Sequence, residues 1–119
     1  MNKHFEYVKL EYLEEISGGD DEFKKELIRI FLRQIPEFLS NMHQYLSEQE
    51  NELLGKEAHT AKSSALIFLM EETGATLKKI QLLAQSGDTK KIPQMLDDVG
   101  KTFEGASKEL SAFLESLEN

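Results

Sequence analysis

Apolar residues recur along this chain with the period of an α-helix, and nowhere with the two-residue alternation of a strand. The clearest stretch is the last one. Ile92, Leu96, Val99, Phe103, Ala106, Leu110, Phe113 and Leu117 follow at intervals of 4, 3, 4, 3, 4, 3 and 4. Gly100 and Gly105 weaken that helix, each by about 1 kcal/mol relative to alanine. Pro93 makes its first turn irregular or marks where the regular helix begins. A second long stripe consists of Leu27, Phe31, Ile35 (or Gln34), Phe38, Met42 and Tyr45, widened by Ile28, Leu32, Leu39 and Leu46. It predicts a helix from about Asp21 to Ser47. Pro36 falls inside it, and because the apolar phase continues on both sides, a kink near Leu32 to Pro36 is expected rather than a break.

Two shorter helices are predicted between them. The first, about Glu50 to Met70, carries Leu54, Ala58, Ala61, Ala65 and Phe68 on one face. Its three alanines make that face thin, so neighbouring helices can come close. The other, about Glu72 to Gln85, has Leu77, Ile80 and Ala84 on one side with Leu83 beside them, and Ser86-Gly87-Asp88 reads as its end. A short segment, Tyr7 to Ile16, places Val8, Tyr12, Leu13 and Ile16 at helical spacing and stops at Ser17-Gly18-Gly19. Asp20 or Asp21 then caps the long helix that follows, its carboxylate accepting from the free N–H groups of the first turn. The connections are short, so consecutive helices pack antiparallel. The prediction is an all-α antiparallel up-down four-helix bundle with an additional short N-terminal helix, one domain over residues 1–119.

Composition narrows the function classes. The chain has 14 basic and 22 acidic residues, a net charge of −8. No basic stripe offsets this, so neither nucleic acid nor an anionic membrane surface is an expected partner. There is no cysteine, which removes disulfides, thiolate metal sites and a cysteine nucleophile together. The longest apolar run, Ala65 to Met70, is six residues, against about 20 needed to cross a bilayer. No signal peptide is visible at the start, and a cytoplasmic monomer is expected.

Three histidines are the natural candidates for chemistry. His4 lies in a terminal stretch and reads as exposed. His43, beside Met42 and Tyr45, has no acidic or histidine partner three or four residues away, and reads as a packed or surface side chain. His59 is different. Its surroundings are Glu57-Ala58-His59-Thr60-Ala61-Lys62-Ser63-Ser64-Ala65. At about 100° per residue, the stripe through Ala58, Ala61 and Ala65 leaves His59 about 100° off the core axis, at the rim of the bundle. Lys62 and Ser63, at i+3 and i+4, share its face one turn on. Gly55, at i−4, has no side chain to obstruct approach. An imidazole beside a cation and a hydroxyl suits phosphoryl transfer: a ring nitrogen attacks phosphorus, and Lys62 offsets charge on the equatorial oxygens. Ser63 or Ser64 offers a hydrogen bond to the phosphoryl group or to the far ring nitrogen.

The run His59-Thr60-Ala61-Lys62-Ser63-Ser64 within an all-helical chain of this length resembles histidine-containing phosphotransfer (HPt) domains of multistep two-component signalling. Their signature is His-x-x-Lys-Gly followed by small residues, on the second helix of a four-helix bundle. Upstream, Tyr12-Leu13-x-x-Ile16-x-Gly18-Gly19-Asp20 and Phe23 are similar to the start of that fold, and Leu82 to Asp88 to its hairpin turn. The resemblance implies that His59 is the phosphoryl acceptor and Lys62 its electrostatic stabiliser. It also implies receiver domains of response regulators and a hybrid sensor kinase as partners. No cofactor belongs to the chain itself, since Mg²⁺ would come with the receiver. Two positions depart from the pattern. Ser63 stands where the family has a glycine that leaves room for the receiver, so it either slows docking or contributes its own hydrogen bond. Leu69 stands where a second glycine is often found, about ten residues after the histidine.

Other readings are weaker on the same residues. A di-iron bundle needs Glu-x-x-His pairs, but Lys56 precedes His59 by three and Ser40 precedes His43 by three. An autonomous ATP-dependent kinase needs a nucleotide-binding domain for which no residues remain. The alternative from another class is a non-catalytic helical interaction module docking through the apolar face of the second helix, including Leu32 and Leu39. Binding through that face should survive replacement of the imidazole, whereas phosphotransfer should not.

Overall fold

Five helices follow one another in the order the periodicity predicts: α1 (Glu11–Ser17), α2 (Asp21–Ser47), α3 (Asn51–Ile67), α4 (Glu71–Ser86) and α5 (Ile92–Glu118). The structure is a computed structural model and describes residues 5–118. α3 lies against α2 and α4, and α5 closes the ring against the same two helices, while α1 packs on α2. The two 27-residue helices set the long dimension of a rod 46 × 21 × 19 Å. Helix α2 runs unbroken through Pro36. Leu32 and Leu39 are half-buried and line a shallow groove shared with α5.

The stripes supply the core. Phe31, Phe68 and Phe103, from α2, the end of α3 and α5, are all buried. Phe31 stacks on Phe68 at 4.8 Å between ring centres and meets Phe103 edge-on at 5.8 Å, an arrangement that aromatic quadrupoles favour. Ala58, Ala61 and Ala65 are fully buried. Their small side chains allow the close approach expected of that face.

Helix ends use a recurring device. At the ends of α2, α3 and α4, the chain turns through a left-handed residue, Gln49 (φ 59°), Leu69 (φ 54°) and Gly87 (φ 81°) respectively. In each case the next residue's N–H reaches back to a carbonyl five residues earlier: Glu50 to Tyr45, Met70 to Ala65, Asp88 to Leu83. This is the Schellman arrangement, whose left-handed position normally falls to glycine. Asp20 caps α2, accepting from the N–H groups of Glu22 and Phe23 at 2.9 and 3.2 Å.

The N-terminal part differs from expectation. The segment from Tyr7 to Leu10 is not helical, and α1 begins at Glu11; only Val8 and Leu13 of the four apolar positions are buried, whereas Tyr12 and Ile16 are exposed. The reason is that residues 6–9 bond elsewhere. The Glu109 carboxylate on α5 accepts from the backbone N–H groups of Glu6, Tyr7 (2.8 Å) and Val8 (3.1 Å), and the Lys9 N–H donates to the Phe68 carbonyl at 2.9 Å. Backbone groups satisfied in this way are not available to an α-helical turn. Tyr7 lies over Gly105, where a methyl group would overlap its ring. Helix α1 is then held to α2 by Lys24, almost fully buried, whose ammonium meets Glu14 at 2.9 Å and Asp21 at 3.0 Å. The hydrogen bond to Glu14 raises the lysine's pKa, outweighing burial, so Lys24 is charged throughout the neutral range.

Glu109→Ala is expected to lower stability by about 1–2 kcal/mol, since hydrogen bonds to a charged acceptor are lost from a partly exposed site. Amide exchange at Tyr7 and Val8 should quicken while exchange in the centre of α3 changes only with global stability. Unchanged exchange at those two amides would contradict the role given to Glu109.

Candidate functional site

His59 lies in the middle of α3 and is exposed; Ala58 before it and Ala61 after it are fully buried. The imidazole makes no hydrogen bond among the described residues. Lys62, one turn on, is half-buried, and its stem runs over α4: a methyl group placed on Gly74 would lie 3.7 Å from the Lys62 Cγ. A long stem packed on a neighbour with its ammonium free is the usual compromise for such a side chain. No carboxylate pairs with Lys62 among the described residues. Ser63 is exposed, and its hydroxyl donates to the His59 carbonyl at 3.2 Å. Ser64 is half-buried. The structure therefore brings His59, Lys62 and Ser63 onto one open face, as their spacing predicts.

The nearest acidic residue in sequence, Glu57, is turned to other work. It accepts from the Asn41 amide of α2 at 2.9 Å. Lys56 pairs with Glu52 at 3.4 Å, both exposed. His43 is exposed on α2. His4 lies outside the described residues. No cluster of three His, Cys, Asp or Glu side chains that could hold a metal occurs among the described residues.

Gly55 does not serve as the open approach its position suggests. It is buried against α4, where an added methyl group would lie 3.5 Å from both the Gln81 carbonyl oxygen and the Gln85 Cγ. Gly74 answers it from α4: a methyl there would come within 3.0 Å of the Leu66 Cδ2. Two glycines on facing helices, one on each side of His59, bring α3 and α4 close. Gly74 gives no signal in the sequence, because a lone glycine in a helical pattern carries no direction until the facing helix is known.

The Hpt domain family model matches residues 26–119. The chain belongs to the Hpt domain family. Its role is therefore phosphotransfer in two-component signalling. The fold is shared with histidine-containing phosphotransfer protein B (HptB) from Pseudomonas aeruginosa PAO1. The two superpose with a TM-score of 0.86 over 93% of this chain and 96% of that one, at 14% identity. Curated protein sequences give no match. Among the described residues no helix is long and apolar enough to cross a membrane.

The backbone explains the second glycine of the Hpt pattern. Leu69 holds φ at 54° as the left-handed residue of the turn after α3, a conformation costing a residue with a Cβ roughly 1 kcal/mol or more. Leu69→Gly should therefore be more stable than Leu69→Ala by about 1 kcal/mol, the reverse of the order inside a helix. Chemical denaturation of the two variants checks this, and an alanine variant at least as stable as the glycine one would contradict it.

Proposed function

We propose that His59 is the phosphoryl acceptor of this Hpt domain, taking the group from the aspartyl phosphate of a receiver domain and passing it to the aspartate of another. The observation that carries the reading is the exposed imidazole on a rigid helix, with Lys62 one turn away and neither side chain paired among the described residues. In the step proposed, the lone pair of a ring nitrogen forms the N–P bond. The P–O bond to the aspartate breaks, its electron pair leaving on the carboxylate, and the imidazole proton stays on the other nitrogen. Charge spread over the three equatorial oxygens is then met by the Lys62 ammonium. Ser63 can donate to the same oxygens by turning its hydroxyl away from the His59 carbonyl. Mg²⁺ is assigned to the receiver, and this chain supplies no cofactor. A hybrid sensor kinase is the proposed source of the phosphoryl group upstream.

The test is label transfer from phosphorylated receiver domains. Wild type and His43→Gln are expected to acquire label, and His59→Gln none. Lys62→Ala should retain its helical circular dichroism and transfer about tenfold or more slowly, less than the roughly 10²–10³ lost with a buried donor because this site is open to solvent. Normal labelling of His59→Gln would refute the assignment, and wild-type kinetics in Lys62→Ala would remove Lys62 from the step. A wild-type protein that binds receivers without acquiring label favours the interaction-module alternative.

A further inference from the structure

The glycine contacts fix how α3 and α4 face one another, and this brings a second cation to His59. Gly55 meets Gln81 and Gln85, and Gly74 meets Lys62 and Leu66. On α3, Gly55, Lys62 and Leu66 lie within roughly 20° of one line along the helix at 100° per residue. On α4, Gly74, Gln81 and Gln85 make the matching line. His59 lies about 40° from the α3 line, on the side away from buried Leu54, Ala58, Ala61 and Ala65. Lys78 lies about 40° from the α4 line, likewise away from buried Leu77, Ile80 and Ala84. Both residues are exposed. His59 falls between Gly55 and Lys62, and Lys78 between Gly74 and Gln81, so the antiparallel register sets them level. They flank the same outer groove across helix axes about 8–10 Å apart.

We infer that Lys78 is a second phosphoryl-binding cation, closing on the group attached to His59 from α4 as Lys62 does from α3. The inference rests on the proposed role of His59. Lys78 makes no ion pair among the described residues, and its flexible four-carbon stem lets the ammonium swing across the groove. The local charge supports it. In a chain of net charge −8, no carboxylate occurs between Thr73 and Gly87, and Glu57 alone occurs between Leu53 and Met70. Lys62 and Lys78 thus approach the three equatorial oxygens from opposite sides. As the N–P bond forms and the P–O bond breaks, the two ammonium groups donate to oxygens that keep their negative charge throughout, and no proton need move.

Lys79 is an internal control. It carries the same charge one position on, also exposed, but points about 140° from the α4 line. Transfer from a phosphorylated receiver is measured over a range of receiver concentrations for wild type, Lys78→Ala, Lys78→Arg and Lys79→Ala. At saturating receiver, Lys78→Ala should transfer about tenfold more slowly, with the half-saturating concentration within about threefold of wild type. Lys78→Arg should recover most of the rate, and Lys79→Ala should stay within about twofold. A Lys78→Ala protein with the wild-type maximal rate overturns the inference while leaving His59 as acceptor. Equal losses in Lys78→Ala and Lys79→Ala, both in half-saturating concentration, overturn it in favour of general charge attraction. Absence of label on the wild type takes down the reading of His59 and this one with it.

Discussion

The close approach of α3 and α4 is the constraint on which the site depends. Two glycines, Gly55 and Gly74, each face the other helix; a methyl group on Gly74 would come to 3.0 Å from the Leu66 Cδ2, and one on Gly55 would touch α4 at 3.5 Å. The core side of α3 is equally thin, with three fully buried alanines. Helices packed this tightly have little freedom to slide or rotate, because their facing surfaces interlock. A side chain at the rim of such a pair has its Cα fixed by the packing, and only its own torsions remain. His59 and Lys62 are in that position. A phosphoryl acceptor must meet a partner's active site in line with the bond being broken, and rigid placement removes part of the orientational cost.

The rest of the molecule keeps this pair in place from its ends. At the end of α3, Phe68 is buried against Phe31, and its carbonyl accepts from Lys9. The turn that follows holds Leu69 in a left-handed conformation in order to bring Met70 back to Ala65. That strain is offset by the backbone hydrogen bonds of the turn and by burial of Phe68 and Met70 on either side of it. The same segment is fastened to α5 through Glu109 and Tyr7. The N-terminal residues thus join the end of α3 to α5, which is not its immediate neighbour in the ring of helices.

Much of this was legible in the sequence. The stripes of α2 and α5 predicted both long helices, and a cap at Asp20 or Asp21 was expected, of which the structure uses Asp20. His59, Lys62 and Ser63 share a face by spacing alone, and the thin face of α3 followed from its alanines. What escaped had a common cause: it depended on elements distant in sequence. The non-helical course of residues 6–9 is dictated by Glu109 and by the Phe68 carbonyl, and neither can be paired with it by local pattern. Tyr12 and Ile16 fit a helical stripe but lie on the outer side of α1. Gly55 looked like an opening beside the histidine, when it is buried against α4. The glycine expected near position 69 was a statement about φ, which became visible only with the backbone.

His59 as acceptor is tested most directly by finding where the phosphoryl group is attached. Protein labelled with ¹⁵N in its histidine rings, phosphorylated by a receiver domain and held at alkaline pH, permits that to be read by ³¹P–¹⁵N coupling in solution. A single coupled phosphorus is expected, on a ring nitrogen assigned to His59, with the resonances of His43 unmoved. Phosphorus coupled to His43, or attached to the protein with no coupling to any imidazole nitrogen, would contradict it.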